Sequence, residues 1–197
     1  MCTTIYSEET QTNTYMYLYK TAKINLEELE SSESGSFYKI ITCITFCAFT
    51  LEAYMNHIGH GNCNFWNEVE KNKPLEKLKN LYSIFELEFD KSSRPIQSII
   101  EMYKYRNLLA HGKTETNTGM TRINQEVTEI DIPQIVGFAQ TRWESMTTSD
   151  NARRYFDDLK KVIKLLHSNI EDELSDPFLV FNSSSGSGSP LTRHRSE

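Results

Sequence analysis

The chain has no surplus of basic residues with which to coat a polyanion: 21 Lys and Arg stand against 27 Asp and Glu in 197 residues, a formal charge of −6. Proteins that bind nucleic acid over a broad face gain affinity by neutralising many phosphates, so that class is excluded while a local site is not. The start, Met1-Cys2-Thr3-Thr4-Ile5-Tyr6-Ser7-Glu8-Glu9, lacks the basic segment and apolar core of a secretory leader, which places the expected location in the cytoplasm. Cysteine is scarce, with Cys2, Cys43, Cys47 and Cys63 alone, and in a reducing compartment these are expected as free thiols. A long uninterrupted apolar run is missing too. The richest stretch, Ile40 to Ile58, carries Glu52, Asn56 and His57 at one end, so no membrane partner is expected. There is no internal repeat.

What is present points to helices. Ten Phe, ten Tyr and two Trp supply large buried areas, and the length suits one domain over residues 1–181. Apolar residues recur at three- and four-residue spacing from about Tyr15 to Leu29. A longer helix follows, capped by Ser36, running to about His57 and ended by Gly59-His60-Gly61-Asn62. Phe65 to Lys71 makes at most two turns, and Pro74 opens a helix whose stripe is Leu75, Leu78, Leu81, Tyr82, Phe85 and Phe89. Pro95 starts another, with Ile96, Ile99, Ile100, Tyr103 and Asn107 or Ala110 on its buried face and Gly112 as its C′ residue. Lys113 to Ile132 reads as an irregular loop or short hairpin. Helical pattern returns at Thr141 to Met146, and again from a cap at Ser149 or Asp150 through Ile170. The Ser/Gly-rich end, residues 182–197, reads as a disordered tail. The fold class is all-α.

One short segment concentrates phosphate chemistry: Arg106-Asn107-Leu108-Leu109-Ala110-His111, followed by Gly112-Lys113. Between Lys91 and Lys113 five cations (Lys91, Arg94, Lys104, Arg106, Lys113) face one acid, Glu101, a local net of +4, while acids gather at residues 27–33 and 171–176. RNA is cleaved by its own 2′-hydroxyl when one group removes that proton, another protonates the departing 5′-oxygen, and a fixed cation steadies the charge on phosphorus. His111 suits either proton transfer, and Arg106, which cannot lose its charge, suits the last. On a regular helix residues five apart lie about 140° from each other, so His111 must leave the helix to join Arg106. A single histidine per chain fills both proton-transfer roles most simply when two copies face each other, so a homodimer is expected. The competing structural reading has Arg106 capping an acid and His111 hydrogen-bonding the last carbonyls of its helix.

The run Arg-Asn-Leu-Leu-Ala-His-Gly at the end of an apolar helix resembles the Arg-x4-6-His signature of HEPN-domain proteins. Phe49-Thr50-Leu51-Glu52-Ala53-Tyr54-Met55-Asn56-His57 is also similar to segments of many bacterial HEPN-like sequences. The resemblance implies an up-and-down helical bundle that dimerises with both motifs in a shared cleft. It further implies a metal-independent endoribonuclease without a cofactor, acting as a toxin or in antiviral or abortive-infection defence. Arg106 and His111 would be catalytic and Asn107 would orient the histidine or the scissile phosphate. One departure stands out: toxins paired with a nucleotidyltransferase antitoxin often carry Tyr two residues past the histidine, and this chain has Lys113. A different antitoxin or defence partner is then implied. Lys113 and Lys104 are expected to hold flanking phosphates, and Glu52 and Asn56, polar groups on an apolar helix, to support the motif. The alternative within the same fold is a non-catalytic RNA-binding or protein-interaction module.

Other constellations carry less. His57-x2-His60-x2-Cys63 has a spacing that zinc tolerates but no evident fourth ligand, so no metal is expected. Gly112-Lys113-Thr114 echoes a phosphate-binding loop, yet it follows a helix instead of opening one after a strand. Cys43 and Cys47, one turn apart, read as packing groups. Glu101 is expected to pair with Arg106 or Lys104.

Overall fold

A computed structural model describes residues 4–31, 36–118, 140–170, 176–179 and 182–190. The chain is mostly helical. In order it forms β1 (Thr4–Thr12), α1 (Thr14–Ser31), α2 (Ser36–Asn62), α3 (Trp66–Val69), α4 (Pro74–Ile84), α5 (Ile96–Ala110), α6 (Arg142–Met146), α7 (Ser149–His167) and β2 (Asn182–Pro190). The expected loop or hairpin after the motif helix lies largely at residues 119–132, outside the described residues.

Two compact units divide the chain, and the division falls inside α1, α2 and α7. The first comprises residues 1–20, 49–89 and 162–197. Its buried side chains include Tyr15, Met16, Leu51, Tyr54, Met55, Trp66, Leu78, Leu81, Val162 and Leu166. Tyr15 meets the Tyr54 ring edge-on at 5.1 Å and donates its hydroxyl to the Pro177 carbonyl at 3.0 Å, while Tyr19 stacks on Phe178 at 4.3 Å. The Tyr54 hydroxyl lies 3.1 Å from Nδ1 of the buried His167. In this unit β1 and β2 pair antiparallel, from Thr4 opposite Pro190 to Thr12 opposite Asn182. The Ser/Gly-rich composition of 182–190 reads as a tail, but ladder hydrogen bonds come from the backbone and need no apolar side chains. Residues 191–197 lie outside the described residues.

The second unit comprises residues 21–48 and 90–161. Ile40, Cys43, Ile44, Cys47, Ile99, Met102, Tyr105, Tyr155, Phe156 and Leu159 are buried in it. Asp158, fully buried, holds Arg94 (2.6 and 2.8 Å) and Lys161 (2.8 Å). Burial pushes its carboxyl up, but the hydrogen bonds from Lys161 and Arg94 outweigh that and hold it below the ordinary range.

Several local signals act as their chemistry dictates. Pro74 occupies the first turn of α4, where its missing N–H costs nothing. Thr141 and Glu144 form a reciprocal capping box at α6. The hydroxyl of Thr148, one residue before the expected cap, accepts from the Asn151 amide at the start of α7. Helix α4 ends in a Schellman turn, with Leu87 N–H donating to the Tyr82 carbonyl and Glu86 N–H to the Ser83 carbonyl. Glu86 carries the left-handed φ of 54° that this turn requires. One expectation is corrected: α2 does not break at Gly59 but continues to Asn62. A Cβ on Gly59 would stand 2.1 Å from the Trp66 indole, so this glycine makes room for a ring and ends nothing.

Candidate active site

Helix α5 carries the motif, and its burial is uneven along its length. Ile96, Ser98, Ile99, Met102, Tyr103 and Tyr105 are buried; past Tyr105 no residue of the helix is. Arg106, Leu108 and Leu109 are half-buried, and Asn107 and Ala110 are exposed, against the expectation that one of these two completes the buried stripe. The anchor at this level is the Tyr105 hydroxyl, 3.0 Å from Oγ1 of Thr147 just beyond α6. Thr147 donates its own proton to the Trp143 carbonyl at 2.8 Å, so Tyr105 is the donor of the pair.

The end of the helix frees His111. Its backbone N–H still donates to the Asn107 carbonyl at 3.0 Å, but φ −113° and ψ 22° have left helical values. Gly112 takes the expected C′ place without a left-handed φ, and a Cβ there would come within 3.3 Å of the Leu109 carbonyl. The guanidinium of Arg106 lies over the Tyr103 ring, 5.7 Å from its centroid. That contact, at i,i+3 on the helix, is a sequence signal the motif alone does not include.

Lys104, Asn107, His111 and Lys113 are all exposed, and their side chains have no hydrogen-bond or ion-pair partner among the described residues. The imidazole therefore does not cap the last carbonyls of its own helix. Within the basic stretch Arg94 is committed to Asp158 at the start of α5, and Lys104 and Lys113 are the exposed lysines toward its other end. Glu101 pairs with neither Arg106 nor Lys104 as the spacing suggests; it accepts from Arg154 at 2.5 Å and from the Tyr155 hydroxyl at 3.2 Å. Together with burial, the Glu101 charge beside it pushes the Tyr155 hydroxyl up to about 12.

Glu52 and Asn56, expected as support for the motif, are hydrogen-bonded in the first unit. The buried Lys77 ammonium lies 3.1 Å from Glu52 Oε1 and 3.4 Å from Asn56 Oδ1. A cation taken out of water needs such acceptors, and residues 21 and 25 positions away supply them. Nearby, Asn56, His57 and His60 line a cleft of about 350 Å³ with Thr12, Thr14, Tyr15 and Ala53. His60 pairs with Glu70 at 3.4 Å and Cys63 is buried. Among the described residues no group of three or more His, Cys, Asp or Glu is placed to hold a metal ion. Cys43 and Cys47 are buried free thiols, with burial first and the neighbouring Cys43 second pushing the Cys47 thiol up, which suits packing. Helix α2 is long and apolar enough to cross a membrane by length and composition alone.

No protein-family model, curated protein or solved structure matches the chain. Its functional reading rests on these residues and their chemistry.

Proposed function

We propose that the chain is a metal-independent endoribonuclease of HEPN type: a helical bundle working as a cytoplasmic homodimer, in the role of a toxin or antiviral defence effector. The observation that carries the reading is the partly uncovered end of α5, where Lys104, Asn107, His111 and Lys113 are exposed in the same stretch as an Arg106 that lies over Tyr103. A cation–π contact orients the guanidinium, whose charge is permanent and suits a phosphate.

In the proposed reaction His111 of one copy takes the proton of a ribose 2′-hydroxyl, and O2′ attacks the adjacent phosphorus. The bond to the 5′-oxygen breaks as His111 of the second copy protonates it. Arg106 offsets the charge that accumulates on the phosphoryl oxygens, and Asn107 orients the phosphate. The products are a 2′,3′-cyclic phosphate and a 5′-hydroxyl. Lys104 and Lys113 hold flanking phosphates.

The test is cleavage of RNA by the purified chain. His111→Ala and Arg106→Ala are each expected to abolish it, with EDTA leaving it intact and the products bearing cyclic phosphate ends. Full activity in either variant removes the assignment. A wild-type chain that is inert on RNA and harmless at high expression would favour a non-catalytic binding module.

A further inference from the structure

Within the second unit an aromatic cluster is left toward solvent. The Phe37 ring lies 5.8 Å from Tyr38, edge-on, and 5.9 Å from Trp143. Phe37 is 37% exposed, Tyr38 73%, and Trp143 is half-buried. Two exposed rings held beside a half-buried third forgo much of the burial that normally places such residues inside. Arg142, exposed on the same short helix α6, makes no ion pair among the described residues. The cluster is also tied to the motif helix, since the Trp143 carbonyl accepts from Thr147, which accepts from Tyr105, the residue beside Arg106.

We propose that Phe37, Tyr38 and Trp143 form a stacking platform for the unpaired bases of single-stranded RNA, with Arg142 on its backbone, next to the bond that Arg106 and His111 cleave. This rests on the ribonuclease reading for its substrate. Rings open to solvent with a cation on the same short helix suit unpaired bases, because every base offers a π-face and duplex bases are already stacked. The platform selects single-stranded over double-stranded RNA without reading sequence.

Trp143 is its own reporter, because the other tryptophan, Trp66, is 1% exposed and shielded from quenchers. The protein is titrated with a single-stranded oligonucleotide carrying 2′-O-methyl groups, which it cannot cleave, while tryptophan fluorescence is followed. Saturable quenching is expected for wild type and for His111→Ala alike, and little with the same sequence as a duplex. Tyr38→Ala, at an exposed position, is expected to weaken oligonucleotide binding about tenfold and to raise KM for cleavage at unchanged kcat. Quenching without any cleavage would retain the platform and overturn the ribonuclease. Cleavage with no quenching and an unchanged KM in Tyr38→Ala would overturn the platform and retain the enzyme. A Trp143 spectral shift that follows protein concentration alone, with no response to the oligonucleotide, would assign the rings to self-association and sink the proposal.

Discussion

Two glycines two residues apart on α2 should respond to the same substitution with opposite sign. Replacing a helical glycine by alanine gains up to about 1 kcal/mol of propensity, and at Gly61, where nothing lies within 4 Å of the new Cβ, that gain is expected unopposed. At Gly59 the Cβ would sit 2.1, 2.2 and 2.5 Å from three indole carbons of Trp66. Carbon atoms rest at roughly 3.5–4.0 Å, so the ring must retreat by more than an ångström. Trp66 is 1% exposed, and its indole nitrogen is buried with no hydrogen-bond partner among the described residues, so packing fixes it. Overpacking of this kind costs about 1–3 kcal/mol, and expelling the ring would approach the roughly 3–5 kcal/mol of losing a large aromatic. Net of propensity, Gly59→Ala should lose about 2 kcal/mol and lower Tm by about 4–8 °C, while Gly61→Ala raises it by about 2–3 °C. Thermal melts followed by circular dichroism check both. A Gly59→Ala protein that melts at or above wild type would refute the packing of Trp66 against α2.

Asp158 has a lowered pKa in the fold, so the stability it contributes is present above the unfolded carboxylate value of about 3.9 and is lost as pH falls through the folded one. Asp158→Asn should therefore flatten the acid limb of the stability profile and cost about 2 kcal/mol at pH 7 in urea titrations, the loss held down because Arg94 and Lys161 reach water. A variant that keeps the wild-type acid limb would show the network to be idle. Glu86→Gly should stabilise the protein by about 1 kcal/mol, since glycine adopts the left-handed turn after α4 without strain; an unchanged or lower urea midpoint contradicts this. Equal mixing of wild-type and His111→Ala subunits should leave about a quarter of the cleavage activity if both imidazoles serve one phosphate, and about half if each subunit works alone.

The sequence shows where helices begin better than where they end. Pro74 and the Thr141-Glu144 pair mark starts because a starting helix has donors to satisfy and specific residues that do so. Gly59 misleads because a glycine that ends a helix and one that admits a ring are the same residue. Only the position of Trp66, seven residues on, tells them apart. The strand at 182–190 leaves no side-chain pattern at all, since its pairing with β1 runs through the backbone. Glu52 and Asn56 were readable as polar groups in need of partners, but not as partners of Lys77, because nothing in the spacing shows that this lysine is buried.

The same distinction explains the candidate site. An amphipathic stripe says which face of α5 is covered but not how far along the helix its neighbours reach, and full burial stops at Tyr105. Extrapolating the stripe to Asn107 or Ala110 therefore fails at the one turn where failure carries meaning. His111 is exposed and its side chain has no partner among the described residues, so it should be replaceable by alanine with Tm unchanged. Arg106→Ala gives up at least the Tyr103 ring contact, worth about 0.5–1 kcal/mol, and should lower Tm by a few degrees. If both variants melt near wild type and neither cleaves RNA, the lost activity belongs to proton transfer and charge stabilisation and not to loss of the fold. If instead His111→Ala unfolds the protein, the last turn of α5 is packed, and the open site on which the mechanism is built does not exist.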